Sequence, residues 1–298
     1  LEEADLPDGL INVVTGFGRT TGVPLIEHDD VRMISFTGGT KGGSAASLSA
    51  SKKVKPIIME LGGKSPQIVF EDADLNLSVN GVVSGIFPVT GHSCISGSRI
   101  LVHKKIKDQF IKKLLDVVKK AKVGNPNDPN TQIGPIANKE QYEFILSKID
   151  NAEKRGLKLL LDGRKECKSQ GYYIGPTIFD DVPNNDDLAQ NEVFGPVASI
   201  HSWENEEDVI KIANDTVYGL AAGIWTNDVN KAIRFAEKIE AGTVYINNYF
   251  NAATQSPVGG FKQSGYGREN GWEGMQCYMQ TKSTWLATEP HQPDPFKS

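Results

Sequence analysis

Two residues stand out by type and setting. Cys94 sits in Gly91-His92-Ser93-Cys94-Ile95-Ser96-Gly97-Ser98-Arg99, where an apolar helical pattern gives way to small residues. Glu60 lies 34 positions earlier, in Ile57-Ile58-Met59-Glu60-Leu61-Gly62-Gly63-Lys64-Ser65-Pro66, and closes a hydrophobic run that reads as a strand. Burying a lone carboxylate there penalises its charged form and raises its pKa. A thiol with such a carboxylate is what nucleophilic catalysis with a general base requires. The blander reading is a buried structural thiol and a carboxylate tied into a hydrogen-bond network.

Two glycine-rich turns are candidates for holding a phosphate. Gly16-Phe17-Gly18-Arg19-Thr20-Thr21-Gly22 follows a strand-like run but has GxGxxxG spacing, so a tight turn without phosphate contact is the better reading. Phe36-Thr37-Gly38-Gly39-Thr40-Lys41-Gly42-Gly43 follows the strand expected at 33–36 and opens a helical stretch at 44–51. Backbone N–H groups at the positive end of a helix suit a pyrophosphate beside Gly38, Gly39 and Thr40. The alternative is a helix N-terminus capped by Thr37 or Thr40.

The elements that must position these residues follow from periodicity. Short runs rich in Val and Ile alternate with amphipathic helical patterns, which signals α/β organisation. Strands are expected at 11–14, 33–36, 57–61, 67–70, 100–102 and 157–161, then at 173–178, 197–203, 220–225 and 243–246. Ile106, Phe110, Leu114 and Val117/Val118 mark one face of a helix over 104–122; Tyr142, Ile145, Ile149 and Ala152 do so over 139–155. Shorter helices are expected at 206–214 and 229–239. The helix before Cys94 starts at Asp72 or Asp74 and carries Leu75, Val79, Val82 and Ile86. Residues 124–130 read as a loop, and 289–298, with three prolines, as a mobile end.

Composition bounds the partners. The chain has 298 residues, 39% hydrophobic and 23% charged, with net charge −5, as expected of a globular protein with a substantial core. A mildly acidic balance argues against nucleic acid or an anionic membrane as partner. Cys94, Cys167 and Cys277 are widely spaced without a CxxC pair, which argues against a disulfide scaffold or metal site and for a reducing, cytoplasmic setting. No apolar run approaches a membrane span, and the N-terminus lacks a signal-peptide pattern. Residues 1–9 read as a helix tail and turn without an initiator Met, so the chain is expected to begin inside a domain.

The motifs, taken together, carry a resemblance. Phe36-Thr37-Gly38-Gly39-Thr40, Met59-Glu60-Leu61-Gly62-Gly63-Lys64-Ser65-Pro66 and Gly91-His92-Ser93-Cys94 resemble the successive signatures of the NAD(P)-dependent aldehyde dehydrogenases. Asn191-Glu192-Val193-Phe194-Gly195-Pro196 and Pro257-Val258-Gly259-Gly260-Phe261-Lys262-Gln263-Ser264-Gly265-Tyr266-Gly267-Arg268-Glu269 continue the match. Gly134-Pro135, Pro176-Thr177, Tyr218-Gly219-Leu220 and Gly242-Thr243-Val244-Tyr245-Ile246-Asn247 fall in the same order.

The resemblance implies an α/β, aldehyde dehydrogenase-like fold. Residues 1–62 would be the remnant of a Rossmann-type cofactor domain, 63–263 the catalytic domain, and 264–298 a closing segment with an oligomerisation strand near 283–287. Cys94 would attack an aldehyde to give a thiohemiacetal and then a thioester, which Glu60 would hydrolyse by activating water. Glutamate at this position favours hydrolysis over acyl transfer to CoA. Glu192 would contact the nicotinamide ribose, Phe194 would pack beside the nicotinamide, Gly39 would lie by the pyrophosphate, and the Leu61 backbone would lie near the carboxamide. NAD is the implied cofactor, with NADP possible because the family's usual determinant precedes Leu1. A small-molecule aldehyde would be the substrate, and a homodimer or homotetramer the assembly.

Several positions depart from the pattern. His92 replaces the family's usual glutamine; it is either a pH-sensitive neighbour of the thiolate or, better, a plain hydrogen-bonding replacement. Phe87-Pro88-Val89-Thr90 replaces an asparagine-containing stretch, and Pro88 would end the preceding helix early. Val258 stands where phenylalanine is common, and residues 249–253 would face the aldehyde with an aromatic surface, unless ordinary packing accounts for those rings. Full-length relatives also carry a preceding part with half the cofactor domain and an oxyanion-hole asparagine. The alternative function is therefore a truncated, catalytically incompetent piece with a structural or oligomer-forming role, or with residual esterase activity.

Overall fold

The computed structural model describes residues 3, 5–167, 170–289 and 291–296. The first unit contains α1 (Val23–Glu27), β1 (Ile34–Thr37), α2 (Thr40–Ser51) and β2 (Ile57–Glu60). The second runs through β3 (Pro66–Val69), α3 (Leu75–Ser84), β4 (Arg99–His103), α4 (Lys107–Val118), α5 (Lys139–Lys154) and β5 (Lys158–Leu161). It continues with β6 (Thr177–Asp180), α6 (Asp187–Gln190), β7 (Val197–Trp203), α7 (Glu206–Asn214), β8 (Tyr218–Gly219), β9 (Ala221–Trp225), α8 (Val229–Lys238) and β10 (Thr243–Ile246). Two short strands, β11 (Phe261–Lys262) and β12 (Gly265–Tyr266), and α9 (Gly271–Gln276) follow.

The main sheet has the order β10-β9-β3-β4-β7-β6-β5 and is parallel except for the β5–β6 pair. Its central strands are apolar on both faces, as a parallel sheet covered by helices requires. Successive residues of β3 show the two sides. Val69 packs with Val79, Val82, Phe110 and Leu114 of α3 and α4, whereas Ile68 packs with Val209 of α7 and Phe235 of α8. A third cluster joins Ile145 and Ile149 of α5 to Phe179 and Val197. Each fully buried side chain of this size contributes about 2 kcal/mol. Gly81 lies inside α3 against its helix propensity, because a Cβ there would stand 1.8 Å from the Trp225 ring.

The smaller sheet has the order β1-β2-β12, with β1–β2 parallel and β12 antiparallel to β2. Its third strand thus comes from the closing segment rather than from residues 1–62.

Several expected elements differ from those found. Residues 11–14 form no strand, and Val13 and Val14 are exposed. The strand expected at 173–178 is β6, which starts only at Thr177 because Gly175-Pro176 removes a ladder donor just before it. The helix over 104–122 opens as a 3₁₀ turn and is α-helical only over Lys107–Val118. Asp74, not Asp72, caps α3, accepting from the Asn76 and Leu77 N–H groups at 2.8 and 2.9 Å. Asp72 instead accepts from the Thr226 hydroxyl at 2.8 Å and from the Asn227 N–H at 3.0 Å. Residues 283–287 form no strand, and Trp285 and Leu286 are exposed. Of the expected mobile end, 290, 297 and 298 lie outside the described residues. Among the described residues no helix is long and apolar enough to cross a membrane.

Candidate active site

A cleft of about 1050 Å³ opens beside the ends of β1 and β2 and the turns at 92–94 and 192–194, and Glu60, Leu61, Cys94, Gly38, Gly39, Thr40, Glu192 and Phe194 all line it. It brings together the residues expected to serve as nucleophile, base and cofactor contacts, but residues 249–253 and Val258, expected near the aldehyde, are not among its lining residues, and Tyr249 instead packs into the core. The Gly16–Gly22 turn is not among its lining residues.

Glu60 ends β2, opposite Thr37 of β1 and Gly265 of β12. It is only 7% exposed, and its Oε1 is buried without a hydrogen-bond partner among the described residues. Burial pushes its carboxyl up to about 7; the Glu269 charge adds to this and Arg268 opposes it. Glu269 accepts a hydrogen bond from the Ser35 hydroxyl at 3.1 Å. A carboxyl half-ionised near neutrality, with a free oxygen, can take a proton from water or a thiol.

Cys94 lies in the turn that leads into β4 and is half-buried. Burial pushes the thiol up, and the Glu192 and Glu60 charges add to it against the N–H groups of Ile95 and Cys94. The resting group is therefore a thiol, which needs a base before it can attack. Gly63 closes one side of the turn, since a Cβ there would lie 2.4 Å from the Cys94 carbonyl oxygen.

Glu192 reaches back across Gly62. The Gly63 N–H donates to Glu192 Oε1 at 3.1 Å, and a Cβ on Gly62 would stand 2.2 Å from Oε2. Burial raises the Glu192 pKa, while the Gly63 N–H and Lys64 oppose it. Phe194 sits at a left-handed φ of 50° and stacks on His92, with ring centroids 5.4 Å apart and planes 13° from parallel. The Gln141 amide of α5 holds this loop, donating to the Val193 and Phe194 carbonyls at 2.9 and 3.0 Å. Burial holds His92 below its ordinary pKa, so its ring is neutral at neutral pH and adds no charge beside the thiol.

The other end of the cleft is the start of α2. Gly39 is the N-cap, with no side-chain cap, so neither Thr37 nor Thr40 takes that role. The first N–H groups of α2 remain available to an anion. A Cβ on Gly39 would meet no protein atom within 4 Å, so the space beside this turn is open. Open donors at a helix start, with a carboxylate and an aromatic ring farther along the cleft, form a donor set that fits a dinucleotide.

Some residues of the site escaped sequence reasoning. Lys64 is fully buried and pushed down to about 7 by burial and Arg99, with Glu192 opposing. Lys64 and Glu269 lie inside the quoted motifs, but spacing alone gave them no role. Gln141 had no local signal, because its partners are 52 and 53 positions away.

Similarity to known proteins covers nearly the whole chain. The model of the aldehyde dehydrogenase family matches residues 1–284. An aldehyde dehydrogenase of Emericella nidulans is 43% identical over 284 residues, covering 95% of this chain and 57% of the relative. A betaine aldehyde dehydrogenase of Brucella anthropi is 41% identical over 288 residues, covering 96% and 59%. The NAD+ complex of an aldehyde dehydrogenase from Bacillus cereus superposes with a TM-score of 0.93 at 37% identity, over 97% of this chain and 58% of that one. A betaine aldehyde dehydrogenase from Staphylococcus aureus, also with NAD+, gives 0.94 at 38%, over 100% and 60%. The chain thus spans under two thirds of the length of these relatives. With the ordered motifs, the cleft and the matching fold in place, the chain belongs to the aldehyde dehydrogenase family.

Proposed function

We propose that the protein oxidises an aldehyde to a carboxylic acid with NAD as cofactor, using Cys94 as nucleophile and Glu60 as the base that hydrolyses the acyl-enzyme. The observation that carries this reading is that a protonated thiol and a carboxyl with a pKa of about 7 line one cleft. The NAD+ found in the Bacillus cereus neighbour supports the cofactor.

The open N–H groups at the start of α2, beside Gly38, Gly39 and Thr40, would hold the pyrophosphate. Glu192, a carboxylate able to accept from two hydroxyls, would hold the ribose, with Phe194 and the Leu61 backbone flanking the nicotinamide. Bound there, the dinucleotide supplies a hydride acceptor. The protein's own residues handle the protons and the acyl group. Glu60 receives the Cys94 proton as sulfur attacks the aldehyde carbon and passes it to the former carbonyl oxygen, giving a thiohemiacetal and leaving Glu60 ionised for the next step. After oxidation the acyl group rests on Cys94 as a thioester. Glu60 then takes a proton from the attacking water, and Cys94 leaves with a proton as the acid forms.

The division at 62/63 and 263/264 belongs to the same reading, with β12 as the part of the closing segment that returns to the first sheet. A homo-oligomer fits too, with exposed Trp285 and Leu286 on the segment that would join a partner's sheet. The three free cysteines suit a cytoplasmic setting. The test is cofactor reduction by the 298-residue chain with NAD and an aldehyde, beside Cys94→Ser. Reduction that persists in Cys94→Ser overturns the nucleophile. Hydrolysis of a chromogenic ester without cofactor binding would favour the esterase reading instead.

A further inference from the structure

We propose that Tyr249 is a positioning residue for Cys94, its phenol pinning the turn that carries the thiol to the edge of the main sheet. This rests on the reading of Cys94 as nucleophile. The Tyr249 hydroxyl donates to the carbonyl of Ile95, the residue next to Cys94, at 2.8 Å. The ring is 8% exposed and belongs to the core that covers α3 and α4, so it does not face a substrate. A phenylalanine would fill that space equally well. The hydroxyl adds a tie to the nucleophile's own turn.

The surroundings fix the phenol from several sides. The ring lies in a slot between two glycines, where a Cβ on Gly85 or Gly223 would come within 2.9 or 3.0 Å of a ring carbon. It packs on Tyr245 at 4.8 Å and edge-on to Phe250 at 5.4 Å. The backbone leading to it is held by Asn247, at φ 52°, whose amide donates to the Thr226 carbonyl at 2.8 Å and accepts from the Thr226 N–H at 3.1 Å. Gly85 also accepts from the Gly97 N–H at 2.9 Å, so the slot and the Cys94 turn share a wall. Gly63 closes the other side of that turn. The phenol is thus a rigid post rather than a mobile lid.

Tyr249→Phe keeps the ring and removes the tie. In the full 298-residue chain, acylation of Cys94 by a chromogenic acetate ester should slow about fivefold, the effect of one intramolecular hydrogen bond. Alkylation of Cys94 by iodoacetamide should move the other way, its pH midpoint falling as water reaches a thiol that burial had held up. Peptide mapping reads Cys94, Cys167 and Cys277 separately, and a thermal melt monitors the fold. Slower acylation with a lower alkylation midpoint at Cys94 alone supports the proposal. Unchanged acylation, or equal acceleration of all three thiols with a lower melting point, overturns it. If the wild-type chain is not acylated at Cys94, the nucleophile reading fails first, and the positioning role falls with it.

Discussion

Replacing Glu60 by glutamine removes a charge that the fold holds at a cost in stability. An ordinary glutamate titrates near 4.5, whereas burial moves Glu60 to about 7. Between those values the folded state keeps a proton that the unfolded chain has released, so wild-type stability falls as pH rises from the lower value to the higher and is flat above it. At about 1.4 kcal/mol per pH unit, the whole gap is worth roughly 3 kcal/mol. The substituted amide carries no charge at any pH and escapes this penalty. Urea denaturation of both chains at about pH 5 and about pH 8.5 should therefore show Glu60→Gln gaining roughly 2–3 kcal/mol on wild type between the two conditions. The same substitution should slow decay of the Cys94 acyl-enzyme by about 10²–10⁴-fold, the usual contribution of a general base. Mass spectrometry of the acylated chain after ester treatment reads that decay. A wild-type–variant difference that does not change with pH refutes the burial argument. Unchanged acyl decay refutes the base.

Gly62→Ala places a Cβ 2.2 Å from Glu192 Oε2, so the carboxylate must leave its Gly63 N–H. NAD affinity, by calorimetry, should fall about tenfold or more, since a charge-assisted bond contributes about 1.5–3 kcal/mol. Asp180 is buried between Lys107 and Lys158, each 2.8 Å away, and its pKa is lowered by both lysines despite burial. Its stabilisation is present above the unfolded aspartate value and lost as pH falls through the lower folded one. Asp180→Asn should cost about 3 kcal/mol at neutral pH and much less in acid, as read by urea titration. Gln141→Ala removes both bonds to the Val193–Phe194 loop, and proteolysis should then cut there faster while the melting point changes little.

Local pattern carried the regular elements furthest. β7 and β10 begin where the apolar runs do, because Pro196 and Gly242 bound their starts sharply. The run at 11–14 has strand composition, but composition supplies no neighbour to pair with. β11 and β12 have two residues each, too few for any period. Cys94 and Glu60 were legible because a thiol among small residues and a lone carboxylate in an apolar run are chemically conspicuous. Their joint placement beside Glu192, Phe194 and the start of α2 depended on recognising ordered motifs. What fixes them, such as the reach of Gln141 to Phe194 or of Tyr249 to Ile95, spans 53 and 154 positions and leaves no local trace.

The strand that carries Glu60 is completed only from the far end of the chain. The Leu61 N–H donates to the Ser264 carbonyl at 3.0 Å, and the Ser264 hydroxyl donates to the Gly62 carbonyl at 2.7 Å, 202 positions away. The same hydroxyl accepts from the Gly219 N–H at 2.9 Å. At 5–20 residues per second, about 10–40 s of synthesis separate the appearance of Glu60 from that of the serine that clamps it. The loop between them closes late and at an entropic cost set by its length. A nascent chain therefore carries Glu60 well before Ser264 emerges to clamp the strand that bears it.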